Sequence, residues 1–396
     1  MRLEQAIHVT FRYTIHFTRD LFDRHNRILA DLLSGRRPKV ALFVDSGLEH
    51  ARPQIREEIT GWFGANEDTI EIRSLVVIQG GEKCKNDPKY YQQVVQVLRD
   101  SGLDRHSYAI IVGGAAVLDA VGFAASIVHG GIRPVRVPTT VLAQSGAGAD
   151  VMTGINLLGV KNLASTFAPP WAVINDFNFL RTLPRRDWIA GLSEAFKVAI
   201  VKDRGFLSFL TTRSEALRDG QASAMEQTIL RCAELHAAHV RNSGNPFETG
   251  TARPLDFGQW SAHWLETLTE YELRHGEAAA VGIALDLMIA KNRGLIGAEE
   301  HEAVTRVMNA TGLPLWHPVL KCRDEKGALS IYRGLEEFRQ YLGGDLTLVM
   351  PKGLGSSCQI ADLSDREIER AVEELEGFSA LAARESENQP SSHAPS

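Results

Sequence analysis

Short runs of apolar and β-branched residues alternate with helix-type patterns through the first half of the chain. Segments 39–47, 69–78 and 132–140 have the composition of buried strands, and segment 90–102 has helical periodicity with a glycine at its end. Segment 108–131 is typical of a strand, a glycine turn and a helix. This alternation predicts a parallel sheet with helices on both faces.

The second half of the chain is mostly helical from about Leu183. Apolar residues recur at helical spacing in four segments: 183–203, 223–242, 256–271 and 275–294. The chain ends in a polar stretch that contains proline and serine. We therefore expect three parts: an α/β nucleotide-type domain over residues 1–182, a helical domain over 183–384 and a disordered tail over 385–396.

Composition limits the possible partners. The formal net charge is −6, which argues against a nucleic-acid-binding surface. No apolar run is long enough to span a membrane, and charges interrupt the N-terminal region where a signal peptide would need an apolar run. The four cysteines lie far apart without metal or redox spacing. We expect a cytoplasmic protein with reduced thiols and no nucleic-acid or membrane partner.

Candidate phosphate-binding and ribose-binding groups lie in the first half. The segment "IIVGGAAVLD" (110–119) follows a strand and opens a helix, so its backbone N–H groups either hold a pyrophosphate or form only a tight turn. Asp45 ends a strand, where it either accepts from a ribose hydroxyl or forms a turn. The loop "GGEKCK" (80–85) either contacts a nucleotide or is a solvated charge cluster.

Polar side chains on three predicted helices could form a metal site. Glu194 and Lys197 share a helix face, either as a surface ion pair worth ~0.2–0.5 kcal/mol or as ligands for a cation and a phosphate. Gln259 and His263 are four residues apart on a second helix, and His275 starts a third. Inward-facing polar groups from several helices are the usual way in which helical domains build metal sites.

Several strings together resemble one family. They are "GGEKCK", "VGGAAVLDAVGFAA", "VPTTVLAQ", "TGIN" with "VKN", "FLRTLP", "GLSEAFK", "RCAELH" and "RHGEA". In this order they resemble 3-dehydroquinate synthase and the other sugar phosphate cyclases, over about Asp45 to Glu277. The resemblance implies a Rossmann-like NAD-binding α/β domain followed by an all-α domain.

The resemblance also implies a chemistry. In the family, bound NAD oxidises a ring hydroxyl, phosphate is eliminated, the same cofactor re-reduces the ketone, and the opened ring closes as a carbocycle by an aldol step. A divalent metal, zinc or cobalt, polarises the reacting oxygens. The family analogy further implies a homodimer and a small sugar phosphate as substrate.

Individual residues match the family's functional positions. The positions that contact NAD correspond to Asp45, Glu82, Lys85, Gly114, Asp119, Thr139, Thr140, Lys161 and Thr182. Asn162 and Lys197 match substrate-contacting positions, and Glu248 and His263 match positions for proton transfer or phosphate handling. Glu194 and His275 match two of the three metal ligands. The resemblance therefore implies Glu248, His263 and Lys197 as catalytic residues.

The chain departs from the family at several of these positions. The third metal ligand is a histidine in the family and Gln259 here, which suits zinc less well but can coordinate a cation through its amide oxygen. Gly146 stands in place of an aspartate and Met152 in place of a lysine.

The substrate positions differ as well. His236 stands in place of a lysine, Asp256 in place of an asparagine, and Arg253 is displaced by one residue from the family's arginine. We keep all three, with Asn162, Lys197 and His263, as the substrate-binding set.

These substrate departures favour a sugar phosphate without a carboxylate, because the lysine and the arginine are the groups that would bind one. The sequence looks more like the divergent side of the superfamily, the sedoheptulose 7-phosphate cyclases and the ebo-cluster branch. We therefore predict a cyclase acting on sedoheptulose 7-phosphate, with cyclitol as product. Three alternatives stay open: 3-dehydroquinate synthase, a polyol or glycerol dehydrogenase, and an NAD-binding pseudo-enzyme with a degraded metal site.

Overall fold

The computed structural model describes residues 2–33, 35–242 and 254–387. The chain divides into two compact units, Met1–Leu183 and Pro184–Ser396. Within the described ranges, no helix combines the length and apolar character that crossing a bilayer requires. All four cysteines are free thiols.

The first unit is built on a parallel sheet of six strands. In chain order the strands of the sheet are β1 (Thr14–Thr18), β2 (Lys39–Asp45), β3 (Glu71–Ile78), β4 (Tyr108–Gly113), β5 (Arg133–Pro138) and β8 (Ala172–Asp176). Between β5 and β8 the chain forms a hairpin of β6 (Met152–Leu157) and β7 (Val160–Phe167). The sheet has the order β1-β8-β5-β4-β2-β3, with every neighbouring pair parallel. The antiparallel β6–β7 hairpin forms a separate two-stranded sheet.

Helices lie on both faces of this sheet. They are α1 (Ile28–Leu32), α2 (Ser46–Ala51), α3 (Ile55–Ala65), α4 (Lys83–Asn86), α5 (Pro88–Asp100), α6 (Ala115–Ile127) and α7 (Val141–Ser145). Val40, Leu42 and Val44 of β2 pack into the same core as α1 and α3, whereas Ala41 and Phe43 pack into the core of α5 and α6. Successive strand residues point to opposite faces, so a strand that is apolar throughout requires a cover on each side.

The second unit is mostly helical. Its helices are α8 (Arg185–Ala190), α9 (Leu192–Lys202), α10 (Arg204–Thr212), α11 (Ser214–Arg218), α12 (Ala222–Asn242), α13 (Gln259–Leu268), α14 (His275–Asn292), α15 (Ala298–Ala310), α16 (Ile331–Tyr341) and α17 (Asp365–Glu387). Helix α14 is buried along nearly its whole length and packs against α9, α13 and α17. It is therefore the central helix of this unit.

The structure confirms the fold class, a Rossmann-like parallel sheet followed by a mostly helical part, and it corrects several details. The second unit is not wholly α-helical, because β9 (Leu348–Pro351) and β10 (Ser357–Ile360) form an antiparallel pair. The helix expected over 183–203 is two helices that meet at Gly191. Helix α17 continues to Glu387, which is inside the tail expected to be disordered, and residues 388–396 lie outside the described residues.

Candidate functional site

The turn after β4 lies beside the carboxylate of Asp45. Asp45 caps helix α2 by accepting from the Gly47 N–H at 2.8 Å, and its other oxygen accepts from the Gly114 N–H at 3.2 Å. Gly114 is the N-cap of α6, and a Cβ there would lie 3.3 Å from Cγ2 of Thr140. The turn is therefore a close-packed glycine turn that opens a helix, and phosphate binding by its backbone N–H groups stays a prediction.

A buried polar network joins the loop around α4 to the β6–β7 hairpin. Lys85 is 3% exposed, and its ammonium donates to Oδ2 of Asp119 at 2.6 Å and to Oδ1 of Asn162 at 2.5 Å. Nζ of Lys161 lies 3.8 Å from Oε1 of Glu82. Burial disfavours the charge of Lys85, but attraction to Asp119 and Glu82 outweighs it and raises the pKa of Lys85.

The structure thus brings four of the predicted NAD-contacting residues together with Asn162, a predicted substrate-contacting residue. Sequence reasoning missed Asn156, whose amide donates to Glu82 at 2.8 Å and whose Oδ1 accepts from the Asn162 N–H at 2.8 Å. Asn156 belongs to the quoted string "TGIN", so the signal was present but was assigned no role. The alternative that "GGEKCK" is merely a solvated charge cluster is wrong for Lys85.

The remaining nucleotide candidates of the first unit have local structural roles. Thr139 is buried after β5, and Thr140 caps α7 by accepting from the Ala143 N–H at 3.2 Å. The Thr182 hydroxyl donates to the carbonyl of Phe179 at 2.8 Å. Their contacts with a cofactor stay predictions.

Glu194 and Lys197 form an ion pair in the interior of the second unit. Their side chains are 10% and 6% exposed, and the ammonium lies 2.8 Å from the carboxylate. The alternative of an ion pair on the helix surface is therefore wrong. Burial by itself would raise the pKa of Glu194, but Lys197, then His275 and His236, outweigh it and lower that pKa, so the carboxylate stays ionised.

Gln259 begins helix α13 and is 6% exposed. Its Oε1 is buried, and no hydrogen-bond donor of the described residues reaches it. A buried amide oxygen without a donor is costly, and a cation at this place would satisfy it. Two oxygens and one imidazole, from Glu194, Gln259 and His275, are a donor set that suits a divalent cation, and their convergence on one cation stays a prediction.

The start of helix α14 places His275 next to α13. Nδ1 of His275 lies 3.1 Å from Oε2 of Glu266, and the rings of His263 and His275 are 5.8 Å apart at their centroids. Ligand atoms of His263, Glu266 and His275 all lie within 4.8 Å of one another. Sequence reasoning missed Glu266, although it follows His263 by three residues and so shares its face of the helix.

For three other residues of the helical unit, Glu277, His236 and Asp256, the structure shows a structural role or a location only. Glu277 accepts the Arg274 N–H at 2.9 Å and pairs with Arg186 at 2.6 Å, so it caps α14. His236 is buried on α12, near enough to Glu194 to affect its pKa. Asp256 lies in a short 3-10 helix, Pro254–Asp256, directly before α13. Glu248 and Arg253 lie outside the described residues.

A buried carboxyl group fixes the start of α13. Asp286 of α14 accepts from the Gly258 N–H and from Nε1 of Trp260, both at 2.8 Å. Burial raises the pKa of Asp286 to about 7, and the two N–H donors act against that rise. Gly258 has φ +78°, and a Cβ on Gly282 would lie 2.2 Å from its carbonyl oxygen, so the two backbones touch.

Comparison with known proteins gives the same family over both units. The model of the 3-dehydroquinate synthase N-terminal domain matches residues 75–190, and that of the C-terminal domain matches residues 191–331. A 2-epi-5-epi-valiolone synthase of Streptomyces glaucescens is 33% identical over 354 residues, 89% of this chain and 88% of that protein. A 3-dehydroquinate synthase of Dichelobacter nodosus is 33% identical over 321 residues, 81% of this chain and 82% of that protein.

A solved structure supports the same relation. The 2-epi-5-epi-valiolone synthase of Streptomyces hygroscopicus subsp. jinggangensis 5008, solved with NAD+ and Zn2+ bound, superposes with a TM-score of 0.84 at 28% identity. The match covers 96% of this chain and 100% of that one. The chain therefore belongs to the 3-dehydroquinate synthase family.

Proposed function

We propose that the chain is a sugar phosphate cyclase that uses bound NAD and a divalent cation to convert sedoheptulose 7-phosphate into a cyclitol. The observation that carries this proposal is the buried Oε1 of Gln259, which has no donor among the described residues. It lies on a helix that packs against α14, where His275 is close enough to lower the pKa of Glu194. Where the family has a histidine, Gln259 thus offers its buried Oε1 as the ligand atom.

When bound, NAD would supply the transient oxidation and re-reduction at a ring carbon, and the cation would polarise the reacting oxygens. The chain's own residues then bind and orient. The ammonium of Lys197, fixed by Glu194 at 2.8 Å, is a positioned positive charge for a substrate oxygen or phosphate. His263 offers a second imidazole beside His275 for proton transfer or phosphate binding.

The substrate class follows from charge. Binding a sugar acid requires a cation for its carboxylate, and His236 stands where the family has a lysine. The similarity to 2-epi-5-epi-valiolone synthases supports the same substrate class. 3-Dehydroquinate synthase remains the second candidate, because a protein of that name is equally identical over a slightly shorter span.

The test compares the two substrates directly. The full chain is loaded with NAD and with zinc or cobalt, and inorganic phosphate release is measured on sedoheptulose 7-phosphate and on the carboxylated seven-carbon sugar phosphate. We expect release with the first, a carbocyclic product by NMR, and no net NADH. The matched control is Glu194→Gln, which replaces the charged side chain by a neutral one of the same size. We expect this variant to release no phosphate, because the proposed cation site loses its carboxylate ligand.

Three outcomes would contradict the proposal. Preferential turnover of the carboxylated sugar would make the chain a 3-dehydroquinate synthase. Net NADH formed from an alcohol would make it a dehydrogenase. NAD binding with no retained metal and no phosphate release from either sugar would make it a pseudo-enzyme.

The finer partner assignments rest on family analogy and on net charge. We expect a homodimer in the cytoplasm, with no nucleic-acid or membrane partner. Light scattering of the purified full chain tests the dimer.

A further inference from the structure

Glu266 is a buried carboxylate that the family-based site leaves without a role. It is 1% exposed and lies on α13, on the same helix face as Gln259 and His263. Its Oε2 lies 3.1 Å from Nδ1 of His275. A charged group at this depth is tolerated only where hydrogen bonds compensate for the lost water, so its partner matters.

The contact between Glu266 and His275 specifies which ring nitrogen carries the proton. A carboxylate only accepts hydrogen bonds, so with Glu266 as a carboxylate we assign Nδ1 of His275 as the donor. A neutral imidazole with Nδ1–H has its lone pair on Nε2. The ring of His275 is therefore held with Nε2 as the atom that can bind a cation.

We propose that Glu266 is a positioning residue, which fixes the tautomer and the orientation of His275 so that Nε2 is presented to the divalent cation. The proposal rests on the proposed function, because it assumes that His275 binds the cation. Histidine ligands generally donate their second N–H to a carboxylate or carbonyl, and loss of such a partner typically weakens metal binding roughly 10–100-fold.

A competing arrangement uses the same residues. His263, Glu266 and His275 could themselves surround a cation, since their ligand atoms lie within 4.8 Å of one another. In that arrangement Glu266 and Nδ1 of His275 would both face the metal. The 3.1 Å distance between Oε2 of Glu266 and Nδ1 of His275 is that of a hydrogen bond, which favours Glu266 as the partner of the ligand and not as a ligand.

The test measures zinc affinity of the full chain by competition with a chromophoric chelator. We expect Glu266→Ala to weaken zinc binding about 100-fold and Glu266→Gln about 10-fold, because glutamine still accepts from Nδ1–H but carries no charge. In a His275→Ala background, Glu266→Ala should change the affinity no further. Glu277→Gln is the matched control. It weakens the cap of α14 without touching the contact between Glu266 and His275, and zinc affinity should stay within about twofold of the wild type.

A second readout does not depend on metal. Nitrogen-15 NMR of the metal-free chain should show His275 protonated at Nδ1, and a mixture of tautomers in Glu266→Ala. Thermal unfolding of each variant identifies any that fail to fold. If Glu266→Ala fails to fold, Glu266→Gln is compared with the wild type in its place.

The outcomes separate this inference from the proposed function. Unchanged zinc affinity and an unchanged tautomer in Glu266→Ala would overturn the inference while leaving a cyclase intact. Loss of zinc in His263→Ala with normal binding in Glu194→Gln would overturn it in favour of direct ligation by Glu266. If the wild type binds no zinc, the proposed function fails, and the NMR result still decides the role of Glu266.

Discussion

Replacing Asp286 with asparagine should remove one component of the pH dependence of stability. Asp286 is 1% exposed, and burial raises its pKa from an ordinary 3.8 to about 7. The folded chain therefore holds this proton more tightly than the unfolded chain does. The contribution to stability is complete below about pH 4 and is lost as pH rises through about 7.

The size of the effect follows from the two pKa values. The full difference corresponds to about 4 kcal/mol, since each pH unit between them is worth about 1.4 kcal/mol. Between pH 5 and pH 8 linkage assigns about 2.5 kcal/mol of this loss to Asp286. Asparagine has nearly the same shape and is neutral at both pH values, so Asp286→Asn should lack this component.

The assay is urea unfolding of wild type and Asp286→Asn at pH 5 and pH 8. The chain has two units, so tryptophan fluorescence and circular dichroism must report coincident transitions before free energies are compared. The stability of wild type relative to the variant should fall by about 2.5 kcal/mol between pH 5 and pH 8. A constant difference would refute the reasoning. A difference that grows with pH would mean that the N–H groups of Gly258 and Trp260 hold the carboxylate ionised.

Three other perturbations test the site and its frame. Gln259→His should tighten zinc binding at least about tenfold in a chelator competition, because imidazole suits zinc better than an amide oxygen; an unchanged affinity would mean that residue 259 does not face the metal. Lys85→Met should lower the free energy of unfolding by about 3 kcal/mol and weaken NAD binding in a fluorescence titration, because it leaves the partly buried carboxylate of Asp119 without its cation; wild-type stability would contradict the network. Gly276→Ala should cost at least about 2 kcal/mol in urea unfolding, because its Cβ would lie 2.3 Å from the carbonyl oxygen of Ala190; a neutral effect would show that the two helices can separate.

Strands β2 and β4 of the first unit were predictable because each has a continuous apolar run that ends at a turn signal. Strands β1 and β8 were not, since each is five residues long and they pair across more than 150 positions of the chain. The β6–β7 hairpin was missed for another reason. Its two segments, MTGINL and VKNLASTF, show neither the continuous apolar run nor the strict alternation on which strand assignment depends.

The candidate site shows a similar limit. Glu194, Lys197 and His275 stand in short strings with family resemblance, so their types and spacing were visible in the sequence. Glu266 and Asp286 gain meaning only from the packing of α13 against α14, which brings residues 9 and 26 positions apart into hydrogen-bonding distance. The roles of all of these residues in binding and catalysis stay predictions.

The backbone contact between Gly258 and Gly282 has a consequence for how this site can change. Where two main chains touch, their separation is set by atoms that every sequence shares, and no side-chain substitution at position 259 alters it. The backbone position of residue 259 is thus the same whichever side chain, glutamine or histidine, provides the metal ligand there. A backbone held in this way tolerates substitution of one metal ligand. The metal preference of the site can then change while its backbone geometry stays the same.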